Sequence, residues 1–170
     1  MSFFSGFSLK YEQELFYEFL KVGDFTVSGF SLGAIDAFEY VKNTDKRVDT
    51  LQLFSPSFFQ DKDEKYKRLQ TISYKKNRDS YEKEFLKNIA FPSSKNMDKY
   101  YKKDTLDSLV KLLNYEWKKE ELQKLKDKKI NIEVYLGEDD KIIDTKKAYN
   151  FFKEYATVFY IKQRGHILHG

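Results

Sequence analysis

Cysteine does not occur in the 170-residue chain, which excludes disulfides and thiolate metal sites. Histidine occurs only at His166 and His169. That is too few imidazoles for the ligand set of a catalytic zinc, and no metal is expected. Apolar runs stay well short of the ~20 residues that a membrane-spanning helix needs. The opening Met1-Ser2-Phe3-Phe4-Ser5-Gly6-Phe7 has neither the basic leader nor the long apolar segment of a secretory signal, so the cytoplasm is the expected location. No internal repeat or low-complexity linker divides the chain, and its length fits a single domain over residues 1–170 with a real core.

What is present is globular and aromatic-rich: 41% hydrophobic and 34% charged residues, with 13 Tyr, 16 Phe and one Trp. The net charge of +4 is unevenly spread. Residues 58–128 hold 19 Lys and Arg against 13 Asp and Glu, whereas the remainder holds 12 against 14. A basic middle points to an acidic partner, although a lysine-rich solvated surface produces the same count. Nucleic acid is not the expected partner. The cations are interspersed with acids and no recognition motif accompanies them.

Apolar patterning predicts strands alternating with helices. Strands are expected over Ser2–Ser5, Phe25–Ser28, Thr50–Ser55 (stopped by Pro56), Ile130–Leu136 (stopped by Gly137) and Thr157–Ile161. Leu15, Phe16, Phe19 and Leu20 have helical spacing and predict a helix over Tyr11–Lys21. Helices are also expected over Ala34–Lys42 and from a cap at Asp144 or Thr145 to Tyr155. This order predicts a parallel three-layer α/β sheet. Residues of about 57–127 interrupt the alternation. They are polar, rich in lysine and tyrosine and mostly helical in pattern, most clearly over Asp104–Asn114 and Glu116–Lys126. They read as a helical insertion over one end of the sheet.

The chemistry centres on Gly29-Phe30-Ser31-Leu32-Gly33. A G-x-S-x-G between a strand and a helix is the pattern of the nucleophile elbow of α/β-hydrolases. The turn is too tight for side chains two residues either side of the serine. It exposes Oγ and aims the Leu32 amide, at the positive end of a helix, toward the substrate oxygen. Alone, the pattern also fits a serine in a glycine-rich turn. A serine hydroxyl needs a base that titrates near neutrality. Gly165-His166 follows the fifth predicted strand, while His169 reads as an exposed terminal histidine. The base needs a carboxylate to hold its tautomer. Gly137-Glu138-Asp139-Asp140 follows the fourth predicted strand. Asp140, three residues past the glycine and followed by Ile142-Ile143, fits best; Asp139 is the alternative, and Asp144 reads as a helix cap. The order Ser31, Asp140, His166 is that of α/β-hydrolases. Ser5-Gly6-Phe7 is similar to the His-Gly-aromatic oxyanion loop of small esterases, with Ser5 in place of the histidine, and assigns the second amide to Phe7. The predicted fold class is thus a minimal α/β-hydrolase: about five mainly parallel strands, flanking helices and a helical cap.

Over nearly its full length the chain resembles the small pimeloyl-[acyl-carrier-protein] methyl ester esterases of biotin synthesis, in particular the compact BioV type. The resemblance rests on Phe3–Phe7, Val27–Ile35, Leu53-Phe54-Ser55-Pro56, Ile132-Glu133-Val134 before Gly137, and His166 near the carboxyl end. The first strands of the full fold are lacking, and one strand–helix unit before the nucleophile strand is omitted. The resemblance implies hydrolysis of the methyl ester of a pimeloyl chain on its carrier protein, without metal or organic cofactor. It also implies that the basic insertion, with Lys62, Lys65, Lys67, Arg68, Lys75, Lys76 and Arg78, docks the acidic carrier. Phe58, Phe59 and Tyr74 would line an acyl tunnel or form the cap core. The same motifs occur in acyl-carrier thioesterases and generalist carboxylesterases, and a degenerate hydrolase scaffold also serves as a binding protein.

Overall fold

The structure, a computed structural model, describes residues 2–170. Five strands form one sheet: β1 (Ser2–Phe4), β2 (Thr26–Phe30), β3 (Thr50–Phe54), β4 (Asn131–Gly137) and β5 (Thr157–Ile161). They lie in sequence order, and every neighbouring pair is parallel. Register places Val27 beside Leu51 and Leu51 beside Ile132, while Phe30, Phe54 and Tyr135 align three residues further on, on the opposite face. The sheet therefore carries two apolar faces.

One face is covered by α1 (Leu32–Asn43), α5 (Lys119–Asp127) and α6 (Thr145–Phe152). Ile35, Phe38, Leu122, Leu125 and Phe152 from these helices are buried in one core with Leu51, Leu53 and Val134. The other face packs Leu15, Phe16, Ile167 and Leu168 against Phe30, Phe54 and Tyr135. Both apolar faces are thus buried, as a parallel sheet requires. Between β3 and α5 lie α2 (Glu64–Lys76), α3 (Arg78–Ala90) and α4 (Leu106–Asn114). Asp63, Asn77 and Thr105 cap these three helices through their side chains. No described helix is long and apolar enough to cross a membrane.

The helix expected over Tyr11–Lys21 is not formed. Only a 3₁₀ turn, Glu12–Phe16, occupies this segment, and Tyr11 before it is left-handed at φ 60°. Phe19 and Leu20 N–H still donate to the Phe16 carbonyl at 2.9 and 2.8 Å, but from there the backbone turns to the sheet. Lys21 N–H donates to Gln52 Oε1 at 2.9 Å, and Gln52 Nε2 donates to the Phe19 carbonyl at 2.9 Å. The helical spacing of Leu15, Phe16, Phe19 and Leu20 serves a segment pressed onto β2 and β3. Other element ends move by a few residues: α1 begins at Leu32, α5 at Lys119, and α6 stops at Phe152.

Candidate active site

Ser31 stands between β2 and α1 with φ 55° and ψ −114°, a conformation that costs a non-glycine residue of order 1–3 kcal/mol. The turn survives because its flanks have no side chains. A Cβ on Gly29 would lie 2.0 Å from the Gly33 carbonyl oxygen, and one on Gly33 would lie 2.1 Å from that of Phe4. Hydrogen bonds hold the strained residue. Its N–H donates to the Phe54 carbonyl at 2.9 Å, and its carbonyl accepts from Ala34 N–H at 3.1 Å and Ser57 N–H at 3.2 Å. The side chain is almost fully buried, and Ser31 Oγ lies 3.2 Å from Ser57 Oγ.

Asp140 and His166 meet across the loops after β4 and β5. His166 Nδ1 is 2.6 Å from Asp140 Oδ2, and both side chains are 0% exposed. A carboxylate acceptor at this distance puts the ring proton on Nδ1 and leaves the lone pair on Nε2. The other carboxylate oxygen, Asp140 Oδ1, accepts from the Ile142 and Ile143 amides at 2.6 and 3.2 Å. The imidazole packs 5.0 Å from the Phe30 ring, and its backbone carbonyl accepts from Ser55 Oγ at 2.6 Å. His166 Nε2 is buried with no hydrogen-bond partner among the described residues. In this arrangement Ser31 Oγ is paired with Ser57 Oγ and not with the imidazole.

The alternatives are placed apart. The Asp139 carboxylate takes no part in the pair; its backbone amide donates to the Arg164 carbonyl at 2.9 Å. Asp144 caps α6 by accepting from Lys147 N–H at 3.1 Å. His169 is not an exposed terminal residue. It is half-buried, and its Nε2 lies 2.7 Å from the Leu15 carbonyl, because the last residues fold back over the sheet face that Leu15 and Phe16 occupy.

The Ser5-Gly6-Phe7 loop follows β1, beside Gly33. The Phe7 N–H meets no acceptor among the described residues, and Leu32 N–H, first in α1, has no intrahelical partner. Phe7 itself is fully buried, its ring edge-on to Phe85 of α3 at 5.3 Å.

Beside the site, under α2–α4, lies a cavity of about 210 Å³ whose lining includes Phe59, Tyr81, Phe85, Leu109, Lys141 and Ile142. Phe59 is two residues beyond Ser57, and the Ile142 amide donates to Asp140 Oδ1; Ser31, Asp140 and His166 themselves do not line the cavity. Phe58 and Tyr74 do not line it. Phe58 packs on Phe151 and Phe152, and the Tyr74 hydroxyl donates to the Asp104 carbonyl at 2.8 Å. The expected docking cations divide in two. Lys62, Lys67 and Arg78 pair with Asp61, Glu64 and Asp79. Lys65, Arg68, Lys75 and Lys76 are exposed on α2 without acidic partners among the described residues.

Ser57, Trp117, Glu12 and Glu82 belong to the site's surroundings and carried no sequence signal. The Trp117 indole donates to the Ser57 carbonyl at 2.8 Å, which ties the segment entering α5 to the loop beside Ser31. The two glutamates are fully buried in the fold.

A parallel sheet with a strained serine between β2 and α1, and an acid and a histidine after β4 and β5, defines the α/β-hydrolase fold. Solved structures agree. An esterase from Exiguobacterium antarcticum is similar at TM-score 0.63 and 18% identity, over 83% of this chain and 59% of that one. BioG from Haemophilus influenzae is similar at TM-score 0.60 and 13% identity, over 97% of this chain and 87% of that one. MenH from S. aureus gives TM-score 0.58 and 15% identity, over 97% and 85%. The chain spans little more than half the length of the carboxylesterases among these structures, 53% in the case of naproxen esterase from Bacillus subtilis. No protein-family model matches the chain, and no curated protein matches it.

Proposed function

We propose that the protein is a serine ester hydrolase that cleaves the methyl ester of a pimeloyl chain carried by an acidic acyl carrier protein. The observation that carries the ester-hydrolase reading is the buried 2.6 Å pair of His166 Nδ1 and Asp140 Oδ2 beside the elbow serine. In the reaction Ser31 Oγ turns from Ser57, passes its proton to His166 Nε2 and attacks the ester carbonyl. Asp140 stabilises the resulting imidazolium. The amides of Phe7 and Leu32 receive the oxyanion, each donor contributing ~10²–10³ in rate. His166 protonates the departing methoxide, and a water activated by the same imidazole then releases the acid from Ser31.

Two features support the narrower substrate. The cavity of about 210 Å³ is smaller than the ~300–1,000 Å³ of common ligand pockets and suits a slender acyl chain. The free cations of α2, Lys65, Arg68, Lys75 and Lys76, flank Leu69 and Ile72, which are about half exposed. A basic rim around an apolar stripe complements an acidic helical partner. In this reading the cavity holds the methylene stem of the acyl chain, so its distal methyl ester and not the thioester reaches Ser31.

Incubation with carrier-bound pimeloyl methyl ester, followed by intact-mass measurement of the carrier, tests the reading. Loss of the mass of one methylene is the expected result. Appearance of the free phosphopantetheinyl carrier would make the protein a thioesterase. An unchanged carrier, together with no labelling of Ser31 by a fluorophosphonate, would make it a binding protein.

A further inference from the structure

Two buried glutamates grip the loop that carries the Phe7 amide. Glu12, in the 3₁₀ turn, is 0% exposed, and its Oε1 accepts from Gly6 N–H at 2.7 Å. Glu82, in α3, is also 0% exposed, and its Oε1 accepts from Ser8 Oγ at 3.1 Å. The grip on Ser8 is extended by Asp104, whose Oδ2 accepts from Ser8 N–H at 2.9 Å and whose own amide donates to Glu82 Oε1 at 3.1 Å. Tyr101 completes the set by donating its hydroxyl to Glu82 Oε2 at 2.6 Å. The amides before and after Phe7 are therefore both taken by carboxylates, and the amide between them is left without an acceptor. Ser8 is held at φ 57°, a left-handed conformation that turns the chain sharply after Phe7.

Neither glutamate touches the site. We propose that Glu12 and Glu82 are positioning residues of the oxyanion hole, which capture the Gly6 amide and the Ser8 side chain so that the Phe7 N–H alone faces the substrate oxygen. This rests on the serine-hydrolase reading of the site. The physical case is one of preorganisation: an oxyanion donor is effective when it is fixed before charge develops. Charge-assisted bonds from buried carboxylates are the stiffest available fixings for a loop of this length. The arrangement is also costly to folding. Glu12 Oε2 is buried without a hydrogen-bond partner among the described residues. Burial pushes the Glu12 carboxyl above its ordinary value, against the hydrogen bond from Gly6. Such a residue is poorly explained by stability alone. Glu82 adds a second consequence. Because it stands on α3, it ties the oxyanion loop to the cap; the two are joined further by hydrogen bonds from Lys10 N–H to the Tyr100 carbonyl and from Lys102 N–H to the Ser8 carbonyl.

Hydrolysis of p-nitrophenyl acetate by wild type, Ser31→Ala, Glu12→Ala, Glu12→Gln, Glu82→Ala, Glu82→Gln and Ser8→Gly tests the proposal, with inhibition by an aryl boronic acid as a second measurement. Wild-type turnover that disappears in Ser31→Ala establishes the underlying reading separately; its absence overturns that reading and the proposal with it. With turnover present, the alanine variants should lose about 10–100-fold in kcat at nearly constant KM, within the ~10²–10³ of a whole donor. The glutamine variants, which keep one acceptor oxygen, should recover part of it. Boronate affinity should fall in parallel, since the bound boronate presents an oxyanion. Ser8→Gly fits the φ 57° backbone and removes only the hydroxyl held by Glu82, so it decides the matter if the alanine variants do not fold. Full kcat in Ser8→Gly and in any folded glutamate variant, or a loss confined to KM, would overturn the proposal.

Discussion

Ser31 is strained by its backbone, buried by its neighbours and hydrogen-bonded to Ser57, so its reactivity depends on how the surrounding groups are set. In the proposed mechanism the decisive setting is the His166 tautomer. Asp140→Asn leaves the geometry in place but offers a donor where an acceptor is required, so kcat should fall by about 10⁴-fold. Asp139→Asn should change it less than threefold, because that side chain lies outside the pair. Steady-state kinetics on a small chromogenic ester separates the two; equal losses would mean that the loop exchanges its acids. Ser31, Asp140 and His166 were legible in the sequence because a tight turn, a carboxylate and a base each follow a strand end. Glu12 and Glu82 were not. Nothing local separates a buried glutamate from a solvated one: Glu12 is followed by Gln13 and Glu14, and Glu82 by Lys83 and Glu84.

Among the elements, the segment from Ser57 to Trp117 joins cap to sheet. Trp117 packs edge-on to Phe152 at 5.1 Å and tilted on Phe38 at 5.1 Å while its indole N–H holds the Ser57 carbonyl. Trp117→Ala should destabilise by ~3–5 kcal/mol. Trp117→Phe keeps most of the apolar contact and loses one buried hydrogen bond, for a cost of ~1–3 kcal/mol; chemical denaturation measures both. If the two variants are equally stable, the hydrogen bond to Ser57 contributes nothing.

The second elemental feature is the polar row Ser28, Gln52 and Glu133, side by side on β2, β3 and β4. Glu133 is buried, which raises its pKa, but the hydrogen bonds from Lys21, Tyr135 and Gln52 outweigh this and hold the carboxyl below its usual 4.5. A depressed carboxyl contributes stability above its unfolded value and loses it as the pH falls through the folded one. Thermal unfolding should therefore show wild-type stability declining below pH 4.5, with a shallower decline in Glu133→Gln; parallel curves would remove Glu133 from the cause. The same row explains the missing helix. Gln52 captures the backbone at Phe19 and Lys21, a tertiary competition that periodicity in residues 11–21 cannot express.

On the scale of the whole molecule, charge is separated from chemistry. The free cations of α2 lie on the cap, whereas Ser31 and His166 are buried. Reversing Lys65, Arg68, Lys75 and Lys76 to glutamate should raise KM for carrier-bound ester more than tenfold and leave a small ester unchanged. Added salt should act in the same direction on the wild type, since exposed charges are screened beyond ~8 Å at physiological ionic strength. Equal effects on both substrates would assign these cations to solubility.

By itself the sequence determined the succession of strands and helices and singled out the turn at Ser31, Asp140 and His166. These depend on short-range rules: alternation, glycine at close approach, and spacing from a strand end. Only the tertiary structure decided that Asp140 and not Asp139 meets His166, that Ser57 pairs with Ser31, and that two glutamates 70 positions apart both hold the loop carrying Phe7. Burial and partnership are properties of the packed chain. A carboxylate becomes a device for positioning an amide only after the fold has removed the water that would otherwise take its place.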